Sequence, residues 1–231
     1  LRKSSYNLLV RSEEFDNASW TSASPTVTAN ITSSPTGSVS ADKIVGTVRQ
    51  TASSLESNER YRVSFYIKVD ESSSDSIRLR TGYTGGSNNF WWDPSTKLFD
   101  TVGSKFSDTL AEFIGDSWYR ISATFTVPTG ITSVEFAISG VNANGGGTIS
   151  GHFVIWGAQL EKGTYAGPYV KTEGSAASAA RTSAYLPDAS GNFVSAGELL
   201  LEGSGTNLLQ YSEEFDNSGW TQVYLNEQIT A

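Results

Sequence analysis

Polar and apolar residues alternate along much of this chain with a period of two. Over residues 61–69 the order Tyr-Arg-Val-Ser-Phe-Tyr-Ile-Lys-Val puts Tyr61, Val63, Phe65, Ile67 and Val69 on one face and Arg62, Ser64, Tyr66 and Lys68 on the other, the signature of a strand buried on one side. Residues 119–127 repeat it, with Tyr119, Ile121, Ala123, Phe125 and Val127 inward and Arg120, Ser122, Thr124 and Thr126 outward. Val134, Phe136 and Ile138 make a third such face and Ile77 and Leu79 a shorter one; residues 152–160 are apolar at nearly every position, as in a strand covered on both sides. Turn formers separate these runs: Gly85-Gly86-Ser87-Asn88-Asn89, Asp93-Pro94-Ser95-Thr96, Pro128-Thr129-Gly130 and Asn142-Ala143-Asn144-Gly145-Gly146-Gly147. Helical periodicity is absent. The pattern predicts an all-β fold, an antiparallel β-sandwich of the jelly-roll kind, within residues 1–165.

Past Gly163 the pattern stops. Gly174-Ser175-Ala176-Ala177-Ser178-Ala179-Ala180 is small and featureless, Pro187-Asp188-Ala189-Ser190-Gly191-Asn192 is a turn cluster, and Glu198-Leu199-Leu200-Leu201-Glu202 is a short apolar run. Residues 166–206 therefore read as a linker carrying one hairpin or strand pair. Residues Asn7 to Thr21 then recur as Asn207 to Thr221, with changes at Val10/Gln210, Arg11/Tyr211, Ala18/Ser218 and Ser19/Gly219 alone. Such a repeat marks residues 207–231 as the N-terminal fragment of a second, similar module. With a Leu at the start, no Met and no closing element at the end, the chain reads as a piece of a longer polypeptide.

Composition narrows the chemistry. With no Cys and one His, disulfide scaffolds, thiol nucleophiles and multi-histidine metal centres are excluded. The 24 acidic against 16 basic side chains give a net charge of −8, which disfavours nucleic acid as a partner. Neither a signal peptide nor an apolar run long enough for a membrane span is visible.

Phe90-Trp91-Trp92 is the most unusual local feature, because consecutive aromatics in a strand point to opposite faces. One face belongs to the core. If Trp91 is the inward residue, Phe90 and Trp92 form an outward plate that stacks a sugar ring, with Tyr83, Tyr66, Asn89 and Arg80 as neighbours and hydrogen-bonding partners. The competing reading has these aromatics fill the core or a subunit interface. Trp118 reads as a packing residue at the sheet edge and Trp20 as a lid over one end of the sandwich. Ser12-Glu13-Glu14-Phe15-Asp16 offers paired carboxylates of the kind glycoside hydrolysis needs, but its recurrence beside the same Asn-Leu-Leu marks a structural cap. His152 has no acid near it in sequence, and no Gly-x-Ser-x-Gly elbow or phosphate-cradling loop is present.

The opening Asn7-Leu8-Leu9 with Phe15 and Trp20, the middle segments Tyr61–Lys68 and Trp118–Ser122, and the closing Ile155-Trp156-Gly157-Ala158-Gln159-Leu160-Glu161-Lys162-Gly163 together resemble the carbohydrate-binding-module-like jelly rolls of family 4, 9 and 22 type. In particular they resemble those found in tail and tail-fibre proteins of tailed phages, as does the junction Leu199-Leu200-Leu201-Glu202-Gly203 before Asn207. The resemblance implies a non-catalytic module for glycan adhesion in an extracellular-facing virion tail or fibre, with a cell-surface or extracellular polysaccharide, other virion subunits and a homo-oligomer such as a trimer as partners. A purely structural spacer is the alternative, and a polysaccharide depolymerase the least favoured. Glucan-binding relatives hold a structural calcium with an acidic residue near the first strand and an Asp in the last. Here Glu13 and Glu14 match the first part, but the last strand has Gln159 and no Asp, a weak donor for a cation that takes six to eight oxygens. No cofactor is expected, with calcium as the alternative left open.

Overall fold

The computed structural model describes residues 6–21, 26–69, 76–141 and 151–178, together with two short strands at 185–187 and 193–195. Residues 4–180 form one compact unit, and residues 1–3 with 181–231 group as another. The strands of the larger unit are β1 (Tyr6–Asn7), β2 (Thr26–Ser33), β3 (Val39–Val45), β4 (Thr47–Ala52), β5 (Arg60–Lys68), β6 (Ser76–Tyr83), β7 (Gly86–Trp92), β8 (Phe99–Val102), β9 (Phe106–Gly115), β10 (Trp118–Thr126), β11 (Val134–Val141), β12 (His152–Lys162) and β13 (Ala177–Ser178). The smaller unit contributes an antiparallel pair, β14 (Tyr185–Pro187) and β15 (Phe193–Ser195). No helix occurs among the described residues.

Two antiparallel sheets build the sandwich, one of six strands in the order β2-β3-β12-β5-β10-β9 and one of five in the order β4-β11-β6-β7-β8. The alternation read from the sequence sets their inner faces. Val63, Phe65 and Ile67 from β5, with Ile121, Ala123 and Phe125 from β10, meet Ile77 and Leu79 from β6 and Val134, Phe136 and Ile138 from β11. Each of these side chains is at most 2% exposed, and full burial of one large apolar side chain contributes about 1.5–3 kcal/mol. β12 is covered on both sides as its composition demands: Phe153, Ile155 and Leu160 enter the core, while Trp156 packs outside with Tyr66, Trp118 and Ala41. A bulge between Trp156 and Gln159 makes this possible. Gly157 sits there with φ of 63°, and a Cβ would lie 3.0 Å from the Tyr66 ring, so this position needs glycine.

Residues 7–21 clasp one end of the sandwich. Asn7, wholly buried, donates to the carbonyls of Ala158 and Val170 at 2.9 Å and accepts from the amides of Leu9 and Leu160 at 3.1 Å. Ser12 joins Thr172 and Tyr169. Phe15 and Trp20 pack with their rings tilted at 45° and centroids 4.8 Å apart, and Trp20 Nε1 donates to the Arg11 carbonyl at 2.8 Å, so Trp20 caps the core as a lid. The buried positions of the clasp are 7, 9, 12, 15 and 20, and all five residues recur unchanged at 207, 209, 212, 215 and 220; residues 207–231 lie outside the described residues. Residues 166–178, expected to open a linker, lie within the larger unit: β13 pairs with β1, and Val170, Thr172 and Glu173 hydrogen-bond to the clasp. The loop expected at 142–147 lies outside the described residues.

Asp42, 1% exposed, ties the clasp to β2 and β3 by accepting from the Phe15 amide at 3.0 Å and the Asn30 amide at 2.8 Å. Burial pushes its carboxyl up to about 6, against the pull of those two amides. The native state thus takes up this proton more readily than the unfolded chain. Asp42 stabilises most below the unfolded value, and that contribution is lost as pH rises through about 6. The thermal midpoint of wild type relative to Asp42→Asn is therefore expected to fall between pH 4 and pH 6.5. Calorimetry of both proteins across that range checks it; a rising difference contradicts the assignment.

Candidate functional site

The outward face of the five-stranded sheet carries the side chains that the inner face rejects. Residues directly opposite in an antiparallel pair share a face. Register therefore groups Thr47, Ser139, Arg78 and Trp91 in one row across β4, β11, β6 and β7, and Arg49, Ala137, Arg80 and Asn89 in the next. A third row holds Thr51, Glu135, Gly82 and Ser87. Trp91 is half-buried, and the Arg78 guanidinium stands 5.4 Å from its ring centroid. Glu135 lies between Arg49 and Arg80, 3.6 Å from each. Beneath that carboxylate Gly82 leaves the floor open, since a Cβ there would come within 3.5 Å of both Arg80 and Glu135. Arg78 donates to Ser139 Oγ at 3.4 Å, and Ser139 in turn bonds Thr47 at 2.8 Å. Burial, with Arg80 close by, lowers the Arg78 proton affinity, and its buried Nε has no hydrogen-bond partner among the described residues.

The structure separates the six residues expected to form one sugar platform. Arg80 and Asn89 are paired on this outward face. Phe90 and Trp92 are not: both are 0% exposed and belong to the core, Phe90 against Phe99 and Phe106, Trp92 against Tyr119. The correction is one of parity. Phe90 stands opposite Leu79 and Trp92 opposite Ile77, whose side chains are inward, so Trp91 is the ring left outside. Tyr83 follows the same inward parity and packs 6.2 Å from Phe125. Tyr66 lies on the outer face of the other sheet, 8% exposed, wedged among Trp156, Tyr169 and the Arg120 guanidinium. Tyr66 is thus neither exposed nor near Arg80.

Sequence reasoning missed Arg49 and Glu135 as members of the face. Their signal lay in outward parity on β4 and β11, but only the pairing of those strands brings them beside Arg80. Trp118, 2% exposed, is a packing residue beside Lys68, as expected. The expected acid cluster is spent on structure: Glu13 pairs with Lys171 at 3.3 Å and Glu14 with Arg11 at 3.2 Å. Gln159 donates through its amide nitrogen to the Pro168 carbonyl and accepts from the Val170 amide with its oxygen. These side chains are thus engaged within the fold, and no group of three acidic or histidine side chains gathers among the described residues.

The family model of a carbohydrate binding domain, of the family 4 and 9 type, matches residues 7–144, more than half of the chain. No curated protein matches it. Among solved structures, the CBM22-1 xylan-binding domain of Paenibacillus barcinonensis Xyn10C is 13% identical with a TM-score of 0.44, over 72% of this chain and 100% of that one. The CBM22-1-GH10 modules of Clostridium thermocellum endo-1,4-beta-D-xylanase 10B, complexed with xylohexaose, are 13% identical with a TM-score of 0.42, over 73% and 30%. The enzymatically active domain of bacteriophage CBA120 tailspike protein 4 is 14% identical with a TM-score of 0.44, over 68% and 21%. This chain thus spans under a third of the length of either of the last two.

Proposed function

This chain belongs to the family 4 and 9 type of carbohydrate binding domain, and from that premise we propose that it is a non-catalytic module holding a glycan across the outward face of the five-stranded sheet. The observation that carries the reading is the placing of Trp91, half out of the core, opposite Arg78 and next to Asn89 on its own strand, with Arg80 in the adjoining row and Glu135 in the row beyond. An aromatic face stacks on the apolar side of a sugar ring, and planar amide, guanidinium and carboxylate groups bond its hydroxyls. Among the described residues this sheet face holds no two opposed acids of the kind glycoside hydrolysis uses, which suits holding rather than cleaving. The finer reading, an adhesion module of a phage-like tail or fibre facing outward from the virion, rests on the resemblance of the opening segment and of the 199–209 junction to such proteins. On the same reading residues 207–231 open a second module, and repetition raises weak single-site affinity.

One observation favours the spacer reading. Leu98, Val102, Leu110, Phe113 and Ile114 are 39–66% exposed along β9, β8 and the turn before it, and an uncovered edge strand with apolar side chains is a natural subunit contact. Affinity electrophoresis of the chain against a polysaccharide panel, with reducing-end assay of the same gels, separates the readings. Retardation by at least one polysaccharide without release of reducing ends is expected. No retardation together with a multimeric mass by light scattering would favour the spacer, and reducing ends would make the chain an enzyme.

A further inference from the structure

We propose that the glycan held on this face is acidic, a polysaccharide bearing carboxylate or sulfate groups; the inference rests on the reading of the face as a glycan site. The chain carries a net charge of −8, yet its outward Trp91 face reverses that sign. Among the described residues Arg49, Arg78 and Arg80 stand in rows with one carboxylate, Glu135, and Asp100 of β8 lies exposed in the stretch opposite Trp91, so three guanidiniums face two carboxylates; the remaining outward side chains of the rows are neutral. Glu135 is shared by two guanidiniums, each at 3.6 Å, too long for a hydrogen bond. Arg78 has no counter-ion among the described residues, and its described contacts are the Trp91 ring and one hydroxyl. A guanidinium presents five donors in a planar fork. Arg49, Arg78 and Arg80 stand in adjoining positions, and among the described residues the partners of their forks are one shared carboxylate, one ring and one hydroxyl.

A neutral sugar chain is served by amides and hydroxyls, without the mutual repulsion of neighbouring guanidiniums. An oxyanion removes that repulsion and accepts two parallel N–H bonds from one fork. The burial-driven weakening of the Arg78 proton affinity beside Arg80 agrees with a face that an anion completes. Carboxylated and sulfated polymers share this chemistry, so the test carries both.

Calorimetric titration of the full chain with polygalacturonate, a sulfated galactan, neutral xylan and polyglutamate, each at low and high NaCl, tests the proposal, with Arg80→Gln and Arg60→Gln in parallel. One acidic polysaccharide is expected to bind more tightly than xylan and to weaken with salt. Arg80→Gln is expected to raise its Kd about tenfold, the loss of one charge-assisted contact. Arg60, exposed and paired with Asp108 on the other sheet, is the control whose substitution leaves Kd unchanged. Xylan bound as tightly and without salt dependence would overturn the acidic class while sparing glycan binding. Polyglutamate bound equally well would reduce the face to a charge patch, and no binding to any polysaccharide would overturn the underlying reading. Near-ultraviolet circular dichroism of Arg80→Gln keeps a folding defect from passing as a binding loss.

Discussion

Trp92→Ala is expected to cost about 3–5 kcal/mol of stability, the usual loss when a fully buried large aromatic is truncated, whereas Trp91→Ala, its immediate neighbour, is expected to cost about 1 kcal/mol or less. Trp92 is 0% exposed, stands opposite Ile77 and lies 5.4 Å from the Tyr119 ring. Its Nε1 has no hydrogen-bond partner among the described residues, so packing holds the ring and alanine leaves a cavity. Trp91 faces outward, and its ring contact with Arg78 is partly exposed. Urea denaturation of the two variants measures the difference directly. Equal losses would mean that both rings are buried and that the outward face has no aromatic platform.

Asn7→Ala is expected to remove about 4 kcal/mol or more, because the missing amide leaves buried backbone groups unsatisfied at about 1–3 kcal/mol each. Asn7 bridges the first strand, the last strand of the sandwich and the segment after it through four hydrogen bonds. Asp in its place would keep the acceptor for Leu9 and Leu160 but set an oxygen against the carbonyls of Ala158 and Val170, so Asn7→Asp is expected to be no better. The denaturation midpoints of both variants against wild type give the check. A loss under about 1 kcal/mol, the worth of a single ordinary hydrogen bond, would show that the clasp is not held through Asn7.

The strands themselves were legible because period-two alternation is a local property. β5, β10, β11 and β6 fall where Tyr61–Val69, Tyr119–Val127, Val134–Ile138 and Ile77–Leu79 put them. The error at Phe90 and Trp92 was one of register, and the means to avoid it lay in the hairpin. A two-residue turn at Thr84 and Gly85, with Gly85 at φ of 89°, sets Tyr83 opposite Gly86. That pairing places Leu79 opposite Phe90, and since burying Arg78 and Arg80 unpaired would be costly, Ile77 and Leu79 must face inward and carry Phe90 and Trp92 with them. The union of Arg49 and Glu135 with Arg80 was not legible, because β4 and β11 lie far apart in sequence and no local pattern specifies which strands pair. Residues 166–178 misled for a different reason: small side chains read as linker, while the bonds that hold the segment run largely through its backbone.

The most direct test of the glycan-binding face is a titration of intrinsic Trp fluorescence with the polysaccharide panel, using wild type, Trp91→Ala and Tyr66→Phe. The account predicts a saturable shift in wild type that is retained in Tyr66→Phe, on the other sheet, and lost in Trp91→Ala while that variant keeps its native near-ultraviolet spectrum. A shift of equal size and affinity in Trp91→Ala would place the ligand elsewhere and contradict it.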